Sequence, residues 1–340
     1  MAIELSLTPT FNTSRRYWGI VLAGGEGKRL KHFIKSTFGK ECPKQFCAIV
    51  GNRSMFRHTI DRARLLISDE RLFTVVNREH LVYAMSDIQD RASKNVVVIP
   101  CNRETAPSIL LPLLNIYKND PNAVVAVFPS DHFVLHENLF IDHIATACEF
   151  VEAEKDRIVV MGIASEKAHH GYGWIKKGSL VRRLTSVNKL GEADIYRATR
   201  FLEKPSGNTA QKIFLRGWLV NTMILVGKAV KFLSLFKEHT PELYSYFLPV
   251  LQGLGTPAEA KTIDGVFQLI PTVNFSKAIL EHMTDSLCVM PMNNVYWNDW
   301  GEEQRVRADL EMINFRSRGV TLFPEMYKKE QHHYTIELSV

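Results

Sequence analysis

The chain has 340 residues, of which 46% are hydrophobic and 23% charged, a balance typical of a globular protein that builds one large domain or two. Its formal net charge is +6, which suits a polyanionic ligand. Because Lys and Arg are scattered without a long basic run, a small phosphorylated ligand explains this charge as well as nucleic acid does, and no nucleic-acid partner is predicted.

Apolar β-rich runs alternate with segments of helical period through the first half of the chain. The strands are predicted at 17–23, 71–77, 95–100, 123–129 and 156–163. The helices between them are predicted in "MFRHTIDRARLL" after the N-cap Ser54, "REHLVYAMSDIQDRA", "APSILLPLLNIYK" and "NLFIDHIATACEFVEAE". Because continuous apolar strands are covered on both faces, this pattern predicts an α/β fold with a doubly wound, mostly parallel, Rossmann-like sheet.

The alternation loosens after residue 165. The segments "GYGWIKK", "IYRATRFLEKP" and "WLVNTMILVG" are predicted as longer antiparallel strands that form a smaller lid over one end of the sheet. Helices then dominate from residue 228 until "SLCVMPM". We therefore predict a tail at 1–16, one domain at 17–315 with a lid at about 165–227 and a helical part at about 228–315, and a second tail at 316–340.

The glycine-rich stretch "LAGGEGKRL" follows the first predicted strand and has the character of a phosphate-facing turn. It is not a P-loop, because Leu22 stands where the first glycine belongs and Arg29 where Ser or Thr belongs. It also lacks the third glycine of a dinucleotide fingerprint, where the chain has Leu30. Two interpretations remain: an anion-binding loop with Lys28 and Arg29 beside it, or a tight surface turn.

Polar residues follow most of the predicted strands, at the edge where open α/β sheets bind ligands. Asp131 directly follows the fourth strand, and Asp299 lies between two tryptophans near the end of the chain. Asp131 alone is better explained as a turn former or helix N-cap, and Asp299 alone is also explained as a capping residue. Together, two carboxylates directed at a phosphate loop are typical of a Mg²⁺ site, so we predict Mg²⁺ as cofactor, held by Asp131 and Asp299. His132 is assigned no chemistry.

Eight short motifs in this order resemble the sugar-1-phosphate nucleotidyltransferases, and within them the mannose-1-phosphate guanylyltransferases. They are "LAGGEGKRL", "PKQF" at 43–46, "NRETAPS" at 102–108, "FPSDHFV" at 128–134, "GYGWI" at 171–175, "FLEKP" at 201–205, "WLVNTM" at 218–223 and "WNDWG" at 297–301. The resemblance implies a GT-A-like sheet and transfer of a nucleotidyl group from an NTP, with GTP favoured, to a sugar 1-phosphate. It also implies that diphosphate leaves without a covalent intermediate.

The resemblance further implies roles for individual residues. The implied nucleotide-binding residues are Leu22, Ala23, Gly24, Gly25, Gly27, Lys28, Arg29, Lys44, Arg103, Thr105, Ala106 and Ser130. The implied sugar-phosphate-binding residues are Gly171, Gly173, Glu203, Lys204 and Asn221. The implied catalytic residues are Arg29, Lys44, Asp131, Lys204 and Asp299, with both aspartates as metal ligands. Tyr172 and Trp174 are predicted to pack rather than to contact a ligand.

Two departures from the family pattern leave the base and the sugar open. Glu104 stands where the guanylyl branch usually has Asn, and the segment 220–223 replaces Trp-Asn-Ser-Gly. A relative that uses glucose 1-phosphate with UTP, dTTP, ATP or CTP is therefore an alternative, as is a non-catalytic regulatory paralogue. A nicotinamide or flavin oxidoreductase is disfavoured by the missing third glycine.

The cysteines and the termini bear on location. The five cysteines are odd in number and form no Cys-x-x-Cys pair, so neither a disulfide framework nor a zinc site is predicted. No apolar run reaches membrane-spanning length, and the first fifteen residues lack the apolar core of a signal peptide. We expect a cytoplasmic protein with reduced thiols and no membrane partner. The oligomeric state stays open, with a homo-oligomer among the alternatives.

Overall fold

The computed structural model describes residues 17–186, 191–283 and 285–317, with side chains described up to residue 313. The predicted tail at 1–16 and nearly all of the predicted tail at 316–340 lie outside the described residues. In the part of the chain that is described, no helix combines the length and the apolar character needed to cross a bilayer.

The strands lie close to the predicted positions in the first half of the chain. They are β1 (Tyr17–Ala23), β2 (Leu72–Asn77), β3 (Val96–Ile99), β4 (Val124–Pro129), β5 (Phe133–Val134), β6 (Ile158–Ala164), β7 (Gly173–Thr185), β8 (Glu192–Glu203), β9 (Leu219–Lys228), β10 (Leu287–Pro291) and β11 (Trp297–Asn298). Nine of these strands form one sheet in the order β3-β2-β1-β4-β9-β6-β10-β8-β7, and β5 pairs separately with β11.

The helices flank this sheet. They are α1 (Lys31–Phe38), α2 (Met55–Arg64), α3 (Leu81–Ile88), α4 (Thr105–Asn119), α5 (Glu137–Ala153), α6 (Gly207–Leu215), α7 (Ala229–His239), α8 (Pro241–Gly253), α9 (Glu259–Leu269) and α10 (Glu303–Ser317). The Ser54 hydroxyl accepts a hydrogen bond from the Arg57 N–H at 2.9 Å, as expected for the N-cap of α2. The predicted helix-rich segment after residue 228 is confirmed by α7, α8 and α9.

The predicted mostly parallel sheet is confirmed by its first four strands. β1 lies parallel to both β2 and β4, and β2 lies parallel to β3. Their carboxyl ends therefore lie at one edge, where the glycine loop follows β1 and Asp131 follows β4. This arrangement brings the candidate site residues of the first half of the chain to that edge.

The predicted antiparallel lid differs from the structure in its placement. The three segments do form antiparallel strands, β7, β8 and β9, but all three belong to the main sheet. β9 is inserted between β4 and β6 and runs antiparallel to both. β9 is buried along nearly its whole length, on both faces, which a lid strand with one solvent face would not be.

Two apolar cores lie on opposite faces of the sheet. Successive strand residues point to opposite faces, so Ile20 packs in one core and Val21 in the other. The core that contains Val21 is covered by α2 and α5, and the core that contains Ile20 is covered by α4, α7, α8 and α9. The sheet is thus covered on both faces and presents its polar strand ends to ligands.

Candidate active site

The glycine loop after β1 is supported by hydrogen bonds from the "PKQF" segment. The buried Gln45 amide donates hydrogen bonds to the carbonyl oxygens of Ala23 and Gly25, at 3.2 and 2.6 Å. Gly27 has a φ of 61°, and a Cβ at this position would lie 2.7 Å from the Lys44 backbone nitrogen. Only glycine therefore fits at this contact. Gln45 lies within the "PKQF" motif, but its supporting role was not predicted from the sequence.

Lys44 is a buried cation that joins the segments of both aspartates. Its side chain is only 5% exposed, and its Nζ lies 2.9 Å from Asp131 Oδ2. The same Nζ donates to the carbonyl oxygens of Asp299 and Trp300, at 2.5 and 3.3 Å. Lys44 is therefore not a surface lysine.

The β5–β11 pair sets the two aspartates side by side. Phe133 pairs with Asn298, so Asp131 lies just before one strand and Asp299 just after the other. Burial opposes ionisation of both carboxyls, but the Lys44 ammonium beside Asp131 and the Arg305 guanidinium beside Asp299 outweigh it and hold each pKa below its ordinary value. Both groups are therefore ionised at neutral pH.

Asp299 accepts several hydrogen bonds at one oxygen. Its Oδ1 accepts from the Tyr172 hydroxyl at 2.7 Å, from the Gly301 N–H at 3.2 Å and from the Arg305 guanidinium. Burial and the Asp299 charge raise the pKa of Tyr172 above its ordinary value, so the phenol stays protonated and donates. The prediction that Tyr172 packs was therefore incomplete, because its hydroxyl also donates a hydrogen bond to Asp299. Arg305 carried no sequence motif that would have identified it.

A buried carboxylate below the site fixes the segment that carries Asp299. Asp309 on α10 accepts hydrogen bonds from the Tyr296 hydroxyl, the Asn298 amide and the Trp300 indole, at 2.5, 2.9 and 2.7 Å. The Trp300 ring also stacks on Phe133 with centroids 4.8 Å apart. These contacts hold the "YWNDWG" segment rigidly against β5.

His132 has a structural environment. Its Nδ1 accepts a hydrogen bond from the Trp297 indole at 3.2 Å. Burial lowers the pKa of His132 to about 4, so the ring is neutral at pH 7. The site chemistry therefore centres on its neighbour Asp131 and on Asp299.

The predicted basic residues of the glycine loop differ in their surroundings. A Cβ on Gly301 would lie 3.0 Å from Arg29 Nη1 and 2.9 Å from Asp299 Oδ2, which places the Arg29 guanidinium beside the acidic pair. Lys28 is exposed and pairs with Glu26. Arg29 is thus brought into the site, whereas the Lys28 ammonium is directed to its own loop.

The other predicted nucleotide-binding residues form two groups. Ser130 is buried beneath the loop, with its N–H donating to the Leu22 carbonyl at 3.1 Å. Arg103 instead donates from Nε to the Phe267 carbonyl at 3.0 Å, and the Thr105 hydroxyl accepts from the Phe275 N–H at 2.8 Å. Ala106 is fully buried, and its N–H donates to the carbonyl of Val273 at 3.0 Å. The contacts of Arg103, Thr105 and Ala106 anchor the start of α4 to the 267–275 segment.

Two predicted sugar-binding residues, Glu203 and Asn221, converge around a third, Gly173. A Cβ at Gly173 would lie 2.5 Å from Glu203 Oε2 and 3.2 Å from Asn221 Cβ, so its absence permits the close approach. Asn221 Nδ2 donates to the Ser276 hydroxyl at 3.3 Å. A Cβ at Gly171 would meet no atom within 4 Å, and this residue lies exposed at the rim. We refer to Gly173, Glu203, Lys204 and Asn221 as the sugar cluster.

Glu203 supplies the carboxyl group of the sugar cluster, and the pKa of this group is raised. Its Oε2 is buried without a hydrogen-bond partner, and burial raises the pKa of this side chain to about 7. The Glu203 N–H donates to Glu281 Oε1 at 2.6 Å, a contact that no sequence motif indicated. Lys204, with a φ of 47°, is 62% exposed and its Nζ lies 3.8 Å from Glu203 Oε1. A buried carboxyl oxygen without a partner, next to an exposed ammonium, suits a ligand with hydroxyl and phosphate groups.

Trp174 has the packing role predicted for it. Its side chain is fully buried, and the indole N–H donates to the His169 carbonyl at 2.8 Å. Trp218 and Val220 pack against it in a small apolar cluster below the sugar cluster. Trp174 therefore supports the strand ends without reaching the site.

Comparison with known proteins identifies the family of this chain. The model of the family described as nucleotidyl transferase matches residues 18–308. The chain is 28% identical over 286 residues to the alginate biosynthesis protein AlgA of Pseudomonas aeruginosa, covering 83% of this chain and 56% of that protein. It is 27% identical over 293 residues to mannose-1-phosphate guanylyltransferase 2 of Escherichia coli O157:H7, covering 84% of this chain and 58% of that protein. The chain thus spans little more than half the length of these curated relatives.

Solved structures share the fold. A structure described as mannose-1-phosphate geranyltransferase from Thermus thermophilus superposes with a TM-score of 0.72 at 23% identity, covering 86% of this chain and 80% of that one. A structure described as mannose-6-phosphate isomerase from Helicobacter pylori superposes with a TM-score of 0.63 at 20% identity, covering 84% of this chain and 100% of that one. At these identities the likeness shows the fold alone.

Proposed function

Because the chain belongs to the nucleotidyl transferase family, we propose that it transfers a guanylyl group from GTP to mannose 1-phosphate and releases diphosphate. The observation that carries the proposal is the meeting of glycine loop, Lys44 and both aspartates at one sheet edge. The choice of GTP and mannose 1-phosphate is supported by relatives whose names carry that activity.

The reaction requires mainly positioning and charge neutralisation. A sugar-phosphate oxygen attacks the α-phosphorus of GTP in line, and diphosphate leaves on the opposite side. The glycine-loop amides and Arg29 face the triphosphate, while Lys204 is exposed and free to pair with the sugar phosphate. Lys44 contributes positive charge where the carboxylates and the α-phosphate meet.

The acidic pair fits Mg²⁺. Within the described ranges no cluster of three or more His, Cys, Asp or Glu side chains is placed to hold a metal ion. Mg²⁺ is commonly held by one or two carboxylates together with substrate phosphates, so Asp131 and Asp299 form a suitable donor set. Both carboxyls have a lowered pKa and are therefore ionised. Bound there, the ion would neutralise charge on the phosphate oxygens.

A diphosphate-release assay over a matrix of NTPs and sugar 1-phosphates tests the proposal. GTP with mannose 1-phosphate is expected to give the highest kcat/KM, because binding differences at the base and the sugar hydroxyls separate substrates by orders of magnitude. A higher kcat/KM for UTP or dTTP with glucose 1-phosphate would retain the reaction class and overturn the substrate assignment. Absence of turnover with every pair would favour a regulatory paralogue.

A further inference from the structure

The two oxygens of Asp299 have different surroundings. Oδ1 accepts from three donors, the Tyr172 hydroxyl, the Gly301 N–H and the Arg305 guanidinium. A carboxylate oxygen offers about two lone pairs, so Oδ1 is saturated. Oδ2 instead lies on the side of the Arg29 guanidinium, next to Gly301. The donor set thus leaves Oδ2 as the oxygen available to a cation.

Tyr172 is the donor that reaches Asp299 from a distant part of the chain. It lies 127 positions earlier, directly before β7, whereas Gly301 and Arg305 belong to the Asp299 segment itself. The Arg305 guanidinium lies over the Tyr172 ring, 5.2 Å from its centroid, which fixes the ring plane. The hydroxyl is therefore held in one direction, towards Oδ1.

The backbone of Tyr172 is tied to the sugar cluster. Its carbonyl oxygen accepts a hydrogen bond from the Lys204 N–H at 3.0 Å. Its neighbour Gly173 is the residue around which Glu203 and Asn221 converge. Tyr172 thus has its main chain in the sugar cluster and its hydroxyl on the carboxylate of the acidic pair.

We propose that Tyr172 is a positioning residue whose hydroxyl orients Asp299 so that Oδ2 is free to bind a cation at the acidic pair, and that its main chain ties this contact to the sugar cluster. This inference rests on the proposed function for its effect on turnover. Its effect on cation binding does not depend on which substrates the protein uses. The effect on turnover and the effect on cation binding can therefore be tested separately.

The test compares Tyr172→Phe with a matched control, Tyr196→Phe. Tyr196 also donates its hydroxyl to an aspartate, Asp194, at 2.9 Å, and carries the Lys177 ammonium 4.4 Å from its ring centroid, but it lies in β8 away from the acidic pair. Both variants keep the ring and are expected to keep the circular dichroism spectrum and a thermal midpoint within about 3 °C of wild type. Asp299→Asn is the reference for a lost ligand.

Mn²⁺ binding to the free protein, followed by electron paramagnetic resonance, is the first readout. Loss of a hydrogen bond to a charged group corresponds to about a tenfold change, so Tyr172→Phe is expected to raise the Mn²⁺ dissociation constant by about that factor. Tyr196→Phe is expected to leave it within about twofold. Equal Mn²⁺ affinity in wild type and Tyr172→Phe overturns the proposal, as does equal weakening in the two tyrosine variants or equal affinity in wild type and Asp299→Asn.

Steady-state kinetics is the second readout. A residue that only orients Asp299 is expected to lower kcat by about tenfold while the KM for GTP stays within about threefold. A change in GTP KM alone would show that Tyr172 acts on nucleotide binding, which contradicts the positioning role. If wild type turns over no substrate pair, the proposed function fails, and the Mn²⁺ measurement still decides the inference.

Discussion

Lys204 and Arg29 are exposed cations in different parts of the site, Lys204 in the sugar cluster and Arg29 beside Asp299. We expect Lys204→Ala to raise the KM for mannose 1-phosphate and Arg29→Ala to impair use of GTP. An ammonium–phosphate hydrogen bond contributes about 1.5–3 kcal/mol, a tenfold to hundredfold effect. Steady-state kinetics with each substrate varied in turn measures both. Lys212→Ala, an exposed lysine on α6, is the control and is expected to change neither KM.

A failure of this prediction would have a clear structural meaning. If Lys204→Ala leaves kcat and the mannose 1-phosphate KM within about threefold of wild type, under about 1 kcal/mol, Lys204 is a solvated residue of a turn. The sugar phosphate would then have to bind nearer Asn221 and Gly173. The exposure of 62% for Lys204 allows either result.

Glu203 predicts a pH dependence of stability. Burial raises its pKa to about 7 from an ordinary 4.5. Between these values the folded protein holds a proton that the unfolded chain releases, so the free energy of unfolding falls as pH rises through this window and levels off above about pH 7. The loss amounts to about 3 kcal/mol at most. Glu203→Gln, which cannot ionise, is expected to be more stable relative to wild type at pH 8 than at pH 5.

Urea unfolding of both proteins at the two pH values checks this expectation. The control is Glu242→Gln, an exposed glutamate in the first turn of α8. Its stability difference from wild type is expected to be nearly the same at pH 5 and pH 8. A pH-independent difference for Glu203→Gln would mean that Glu203 is solvated or acquires a partner that keeps it ionised.

Apart from Arg305, which lies six positions from its partner Asp299, the residues that the sequence could not identify act through contacts made at long range. Gln45 supports the glycine loop, Arg305 and Tyr172 contact Asp299, and Glu281 contacts the Glu203 backbone. The glycines and aspartates are recognisable because a turn or a strand end restricts which residue can stand there. A supporting hydrogen bond restricts only the distance between two groups, and that distance is set by the tertiary fold.

At the scale of elements, the glycine loop offers a pair of matched positions. Gly27 has a φ of 61° and contacts the Lys44 backbone, whereas a Cβ on Gly25 would meet no atom within 4 Å. Gly27→Ala is expected to lower the thermal midpoint, because an alanine in the left-handed region costs about 1–2 kcal/mol before the contact is counted. Gly25→Ala is expected to leave the midpoint within about 2 °C. Differential scanning calorimetry of both variants measures this difference.

GTP binding separates a role of the Gly25 backbone in nucleotide binding from an effect on stability. If the Gly25 backbone faces GTP, its added methyl group weakens GTP binding without affecting stability. Isothermal titration with GTP measures the effect. A thermal midpoint for Gly27→Ala equal to wild type would show that the "PKQF" segment moves away at little cost, contrary to the packing described for Lys44.

Some of the strands and helices could be predicted from the sequence, and others could not. β1 to β4 and the helices between them follow from apolar runs and helical periodicity. The crossovers from β1 to β2 and from β2 to β3 connect neighbouring strands, and the connection from β3 returns the chain to the far side of β1, where β4 pairs. The placement of β9 could not be predicted in this way, because its partners β4 and β6 precede it by many residues and two other strands intervene. The two-residue strands β5 and β11 are too short to show any periodicity, yet their pairing brings the segments of Asp131 and Asp299 together.

At the scale of the whole molecule, β9 connects the two functional halves. β1 to β4 carry the proposed nucleotide side of the site, and β6, β7, β8 and β10 carry or support the sugar cluster. β9 pairs with β4 on one side and with β6 on the other. The core that contains Ile20 likewise extends from β2 and β3 to β6 and β10 without interruption. The halves therefore share both backbone hydrogen bonds and apolar packing.

This shared strand predicts that the two halves unfold together. Hydrogen exchange with mass spectrometry along a urea titration is expected to show peptides of β1 and β4 losing protection at the same urea concentration as peptides of β6 and β10. Gly227→Val is the perturbing variant, because a Cβ at Gly227 in β9 would overlap Ile158 and lie 2.9 Å from Phe232. Overpacking of this kind typically costs about 1–3 kcal/mol, so both sets of peptides are expected to shift to lower urea by the same amount.

Gly265→Ala is the matched control, since Gly265 is exposed on α9 and a Cβ there would meet no atom within 4 Å. Alanine also has the higher helix propensity, so this variant is expected to hold or slightly raise the urea midpoint. If Gly227→Val released the β6 and β10 peptides while β1 and β4 stayed protected, the nucleotide side would be an independent folding unit. β9 would then be an addition to that unit rather than the strand that makes the two halves one cooperative structure.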